Sequence, residues 1–250
     1  MRVYGEAVRL PRFFAPDAAA TATTIDLPDD EASHLTRVLR LKPGDRVAVF
    51  NGRGGEWHGS VDRASKTQVS VRLLEAVASV AEPRVAITLA IAMLKGDKMG
   101  DLIRDAVMLG ATAIQPLITM RTEAALSSKA QSGRLGRWTR IAVSSTKQCG
   151  RAVVPPIHPP SHLEAELERA GTSIMFVEPD GDTKLRRLEE VPRAEAATLF
   201  IGPEGGWTAD EVRQASAKGA MLVTLGAQTI RADAMPIVAL TALRVHWRDF

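Results

Sequence analysis

The chain has 250 residues, 45% of them hydrophobic and 24% charged, with a formal net charge of +3. That balance excludes a disordered chain and supplies apolar material for one large domain or two modest ones. A single cysteine, Cys149, excludes an internal disulfide and a multi-cysteine metal site, and the five histidines do not gather. His158 and His162 stand four apart, but Pro159 and Pro160 between them forbid the helix that would align them. No secretory leader pattern opens the sequence. The longest apolar stretches, Val85–Leu94 and Ala234–Leu243, are too short to span a bilayer. The expectation is a cytoplasmic protein with no membrane contact and no structural metal.

In chain order, residues 1–75 read as a small β-rich unit. A short helix is expected first, with Ser33 as N-cap before HLTRVLRL and Lys42-Pro43-Gly44-Asp45 as the turn that ends it. Val47–Asn51, Glu56–Val61 and Val69–Leu74 are short, β-branched and alternating, separated by the turn clusters NGRGG and DRASKT. Strands of this length suggest a small barrel. Glu75–Pro83 reads as a link.

From Val85 the rhythm changes. VAITLAIAML is a continuous apolar run suited to a strand buried on both faces. GDKMGDLIRDAVMLG then places Met99, Leu102, Ile103, Ala106 and Val107 at helical spacing, with Gly110 past the end. The alternation continues with strand 113–117, helix 133–148, helix 161–170, strand 173–177, strand 197–201, helix 208–218, strand 221–224 and a final helix over 233–247. Strands alternating with helices imply a parallel sheet covered on both faces, so the fold class is α/β.

Charge is unevenly spread. Residues 81–160 hold 11 Lys/Arg against 5 Asp/Glu, whereas residues 161–250 hold 10 against 14. Between Arg121 and Pro160, Arg121, Lys129, Arg134, Arg137, Arg140, Lys147 and Arg151 face one acid, Glu123. Such a segment is either a polyanion-binding surface or a solvated helix face.

FIGPEGGWTADEV, Phe200 to Val212, carries the strongest local signal. An apolar strand runs into Gly202, and Thr208-Ala209-Asp210-Glu211 forms a capping box for the next helix. Gly202, Gly205 and Gly206 let a ligand approach bare backbone, beyond the carboxyl end of a strand where open α/β sheets bind ligands. The alternative is a tight strand-to-helix turn. The loop is neither a Walker A loop nor GxGxxG, and Glu204 would repel a phosphate. About twenty residues on, strand MLVTL enters Gly226-Ala227-Gln228-Thr229-Ile230-Arg231-Ala232-Asp233, a second glycine-opened loop able to wall the same pocket.

GPEGG followed by LG…IRAD and a C-terminal apolar helix resembles the SPOUT methyltransferases, and the resemblance sharpens toward the RsmE group. HLTRVLRLKPGDRVAVFNGRGGEW, LKGDKM, LGATAIQPL, KQCGR and GPEGGWTADE occur in the family's order along nearly the whole chain. The resemblance implies a PUA-like β-barrel RNA-binding domain over 1–75 and a trefoil-knotted, dimeric catalytic domain over 80–250. The implied activity is S-adenosylmethionine-dependent methylation of uridine N3 in 16S ribosomal RNA of the small subunit. Another SPOUT methyltransferase of rRNA or tRNA, or a catalytically silent RNA-binding assembly factor, is the alternative.

Resemblance points to Arg231 as the cation that stabilises an anionic uracil. Asp233 would take a proton, orient Arg231 or cap the last helix. The cofactor would lie against Glu178, Ile201, Gly202, Pro203, Glu204, Gly205, Gly206, Leu225, Gly226 and Ile230, although Leu225 and Ile230 could instead be core residues. Trp207 would cover the adenine or pack at a dimer contact. RNA contacts are expected from His34, Arg37 and Arg40 at i, i+3, i+6, from Arg53, Lys95, Gln148 and Arg151. The donor's methyl is already activated on a sulfonium, so the chemistry calls for no metal. Lys147, Gln228, Ala232 and Asp233 depart from the family's usual residues.

Overall fold

The computed structural model describes residues 10–65, 68–122, 128–179 and 185–250, with 128–132 described as backbone only. Glu123 and the side chain of Lys129, both in the basic segment, lie outside these residues. The chain divides into two compact units: Met1–Ala81 with Thr146–Val154, and Glu82–Ser145 with Pro155–Phe250.

The first unit is built on a five-stranded sheet, β1 (Arg12–Phe14), β2 (Thr24–Asp26), β3 (Arg46–Phe50), β4 (Glu56–Ala64) and β5 (Val69–Val77), in the order β1-β3-β4-β5-β2. β1 pairs parallel to β3 and the other pairs are antiparallel. Alternation along β4 buries Trp57, Gly59 and Val61, and Trp57 and Val61 pack with Phe13, Val47, Val49 and Val71 in the unit's core. Between β2 and β3 the helix starts earlier than expected. α1 (Asp29–Ser33) is followed by a π-helical turn, His34–Val38, so Ser33 ends α1 and Pro28 precedes it. Three consecutive acids, Asp29, Asp30 and Glu31, occupy the first turn and favour its N-terminal dipole.

Arg12 organises the same unit. Its guanidinium forks onto both Glu56 oxygens at 3.0 Å and donates to the carbonyls of Thr146 (3.2 Å), Lys147 (2.7 Å) and Arg151 (2.8 Å). Those carbonyls lie at the C-terminal end of α3 (Ser128–Cys149) and just past it, where the backbone runs out of intrahelical N–H donors; the Thr146 carbonyl also accepts the Gly150 N–H at 3.2 Å.

The second unit holds a seven-stranded, all-parallel sheet in the order β10-β12-β9-β11-β6-β7-β8. Its strands are β6 (Ala86–Ala92), β7 (Ala113–Ile118), β8 (Ser161–His162), β9 (Ser173–Phe176), β10 (Arg186–Arg187), β11 (Ala196–Ile201) and β12 (Met221–Thr224). The helices are α2 (Lys98–Met108), α3, α4 (Leu163–Arg169), α5 (Ala209–Ala217) and α6 (Met235–His246). β6 and β11 lie side by side at the centre, and Ile87, Leu89, Ala90, Ile91, Leu199, Phe200 and Ile201 are fully covered. The continuous apolar runs of these strands follow from burial on both faces. α2 turns its predicted face (Met99, Leu102, Ile103, Ala106 and Val107) inward and packs on α6.

Candidate functional site

In the parallel sheet β12, β9 and β11 are neighbours, with Val223 beside Phe176 and Phe200 beside Met175. Their C-terminal ends therefore open side by side. The segments after them, from Phe176 to Pro179, Ile201 to Trp207 and Thr224 to Asp233, wall one cavity of about 670 Å³.

Local chemistry shapes each wall. After β11 the Gly206 N–H returns to the Pro203 carbonyl at 2.9 Å, and Gly206 takes φ +72°, which suits glycine. The expected capping box is present. Thr208 Oγ1 accepts the Glu211 N–H at 3.2 Å and Glu211 Oε2 accepts the Thr208 N–H at 2.7 Å. Glu211 Oε1 also accepts the Met120 N–H at 3.0 Å. Trp207 Nε1 donates to the Phe176 carbonyl at 2.9 Å, and a Cβ on Gly202 would sit 3.1 Å from its indole. Trp207 thus joins the glycine loop to the end of β9 while lining the cavity.

After β12, Gly226 turns the chain at φ +117° and the Arg231 carbonyl accepts the N–H groups of Ala234 and Met235 at 2.9 Å. α6 begins at Met235 with Ala234 as its N-cap and no side-chain cap bond, so Asp233 does not cap it. Asp233 is occupied by Arg231, whose Nε and Nη2 donate to its two oxygens at 3.0 and 2.5 Å. That hydrogen bond holds the Asp233 carboxyl below its usual range and raises the Arg231 pKa.

Every residue expected at the cofactor lines this cavity except Gly226, and Arg231 and Asp233 line it too. Leu225 and Ile230 are half-buried at its edge rather than core. Lys98 is a lining residue that the sequence reading passed over, although it stands inside LKGDKM. Its Nζ lies 3.3 Å from Glu204 Oε1 and 3.7 Å from Asp233 Oδ2. Burial works against the charge of Glu204, but hydrogen bonds from its own backbone, the Lys95 N–H and Lys98 outweigh it, and the carboxyl is held below its ordinary value. Pro203, Glu204 and Gly205 also border a second cavity of about 840 Å³, which Lys95, Arg121, Arg134 and Arg137 help to line.

The expected RNA residues fare unevenly. Arg37 and Arg53 are exposed, as are Lys95 and Gln148. His34 is half-buried, its ring edge-on to Phe13 with 6.2 Å between centroids. Arg40 is exposed but falls beyond the π-helical turn at φ +55°, so the i, i+3, i+6 face does not exist. Arg151 is 5% exposed, packed inside the first unit, which corrects its expected place on a surface. Two more cations of the basic segment are engaged: Arg137 with Asp97 at 2.7 Å and Lys147 with Glu31 at 2.7 Å. Among the described residues no group of His, Cys, Asp or Glu could hold a metal ion, and no helix is long and apolar enough to cross a membrane.

Comparison with known proteins gives one consistent result. A family model for an RNA methyltransferase domain matches residues 81–244, and a model for an RNA methyltransferase PUA domain matches residues 27–74. Ribosomal RNA small subunit methyltransferase E of Synechocystis sp. is 35% identical over 92% of this chain and 75% of its own length. Its counterpart from Rickettsia conorii is 30% identical over 94% and 95%. Among solved structures, the Neisseria gonorrhoeae enzyme bound to S-adenosyl methionine superposes with a TM-score of 0.86 at 30% identity, covering 96% of this chain and 98% of that one. A Legionella pneumophila methyltransferase in complex with the same cofactor gives 0.88 at 27% identity, covering 95% and 98%.

Proposed function

Because the chain belongs to the RNA methyltransferase family, in the group of ribosomal RNA small subunit methyltransferase E, we propose that it methylates N3 of a uridine in 16S ribosomal RNA with S-adenosylmethionine as donor. The observation that carries this reading is the cavity itself. Two glycine-opened loops at neighbouring ends of a parallel sheet meet around it, and both loops hold the residues that the family resemblance singles out.

The walls suit that donor. Gly202, Gly205 and Gly206 offer backbone without side chains. Val177, Leu222, Leu225 and Ile230 supply apolar surface for a flat heterocycle. Glu178, Glu204 and Asp233 place carboxylates near a ligand that carries positive charge. When bound, the donor supplies a methyl group on a sulfonium. The remaining work falls to this chain: N3 of uridine is a poor nucleophile until its proton leaves, and the charge that then spreads to the uracil oxygens must be met. We assign that role to Arg231, which lines the cavity and is held by Asp233 through two hydrogen bonds. An aspartate held below its usual range by that pair is a weak base, so we assign Asp233 to orientation rather than proton removal.

The exposed cations Arg37, Arg40 and Arg53 support a role for residues 1–75 in gripping RNA backbone, with residues 80–250 as the knotted catalytic domain. The target base leaves its stack to enter the cavity. A homodimer is the proposed assembly, on the strength of exposed Ile237, Val238 and Val245 on α6 and Met108 on the adjoining α2. The cytoplasm is where such a substrate is met.

The test is methyl transfer from labelled S-adenosylmethionine to small subunits lacking their own N3-methyluridine, with the product nucleoside identified. Label in N3-methyluridine is expected. Label in another nucleoside, or none with the cofactor bound, defeats the assignment.

A further inference from the structure

We propose that Lys98 is a positioning residue that ties together the two loops of the cavity and sets the angle at which Arg231 meets the acceptor base. The inference rests on the methyltransferase reading of the same cavity.

Lys98 opens α2, directly after β6, and β6 lies beside β11 in the sheet. The first turn of α2 is thereby brought to the glycine loop that leaves β11. From there the ammonium reaches in two directions: 3.3 Å to Glu204 Oε1 in that loop, and 3.7 Å to Asp233 Oδ2 in the loop after β12. The Lys95 N–H adds a contact of 3.4 Å to the same Glu204 oxygen, so the β6–α2 connection grips the glycine loop at two points. Asp233 in turn holds the Arg231 fork. One chain of charges, Glu204–Lys98–Asp233–Arg231, crosses the cavity wall and links three separate connections of the sheet.

The Lys98 side chain is 42% exposed. Ion pairs at that exposure add little to folding stability. What the tie supplies is geometry: two carboxylates that would otherwise repel are held on either side of one cation. The lever on rate is large, since a displacement of about 1 Å at a reacting group can cost about 100-fold.

Double-mutant cycles read this directly. In Lys98→Gln, kcat on small subunits falls between about tenfold and 100-fold while KM for the subunit stays within about threefold. Calorimetric affinity for S-adenosylmethionine falls several-fold as the glycine loop loosens, and the melting temperature stays near that of the parent. Lys98→Arg recovers most of both losses, because a guanidinium can span the same two carboxylates. In kcat, Lys98→Gln with Asp233→Asn is no worse than Asp233→Asn alone. In cofactor affinity, Lys98→Gln with Glu204→Gln is no worse than Glu204→Gln alone. Additive effects in both cycles, unchanged kcat and affinity in Lys98→Gln, or an arginine variant no better than the glutamine one would overturn the proposal. So would a large fall in melting temperature accompanying the loss of kcat. Should the unaltered protein bind the cofactor yet methylate no subunit, the functional reading fails, while the affinity cycle between Lys98 and Glu204 still decides this one.

Discussion

Arg231 offers its guanidinium edge to Asp233 through two nitrogens, leaving the remaining donors for a ligand in the cavity. Removing it should take away charge stabilisation that matters only as N3 becomes anionic. Arg231→Ala is therefore expected to lower kcat by roughly 100- to 1,000-fold with cofactor affinity nearly intact, as read by methyl transfer and calorimetry. Full activity in that variant ends the assignment. Glu204 gives a prediction in pH. Its folded pKa lies below the ordinary 4.5, so its contribution to stability is complete above that value and is lost as pH falls through the lower folded one. Glu204→Gln should be less stable than the parent above pH 4.5 and converge with it in stronger acid. A constant gap across the titration counts against this. At this scale a motif points to Arg231 and Asp233, which line the cavity, but not to Lys98, whose partner Glu204 is 106 residues away. The sequence misplaced Arg151 because a basic run records sign and not burial.

Elements were legible where the signal was local. The capping box of α5 appears as written, since its two hydrogen bonds span only three residues. The central strands and the buried face of α2 follow from apolar runs and a 3.6-residue period. β1, β2 and β10 passed unread because two or three residues carry no period. α1 was misplaced by five residues because Ser33 has the side chain of an N-cap without the position of one. Tertiary partners outweighed spacing again at the end of α6. Arg244 is 1% exposed there, donates 2.9 Å to the Leu109 carbonyl and pairs with Asp249 at 2.5 Å. Asp249 also accepts the N–H groups of Arg84 and Val85 at 2.8 and 3.0 Å. Arg244→Met leaves that carboxylate buried without its cation, and should cost about 3–5 kcal/mol in urea unfolding of the α/β unit. A loss under 1 kcal/mol would show that the pair is dispensable.

Over the whole molecule, a net charge of +3 hides an excess of cations in the middle third. Part of that excess is paired with acids: Lys147 with the buried Glu31, and Arg137 with Asp97 in an ion pair that stays exposed to solvent. The exposed Arg37 and Arg40 of the first unit remain candidates for phosphate contact. Reversing both to Glu should weaken RNA binding and reduce the slope of log affinity against log salt by roughly one per lost contact. An unchanged slope removes that turn from the RNA surface. The α/β class, and the change from a run of short strands to strands alternating with helices, could be read from the alternation of elements. The order of strands could not, because it is set by long-range pairing.

The clamp made by Arg12 has a consequence for how the chain comes into being. Arg12 closes on carbonyls 134 to 139 residues further along, and Gly52 pairs with Val153. An N-terminal domain of a growing polypeptide ordinarily finishes folding before its successor is made. Here β1 through β5 emerge long before the acceptors of Arg12 exist. The first unit waits, with the Arg12–Glu56 fork lacking its backbone partners, until more than half of the protein has left the synthesising ribosome. Completion of the first unit is thereby tied to synthesis of much of the second, because its closing segment, Thr146–Val154, follows Glu82–Ser145 in the chain.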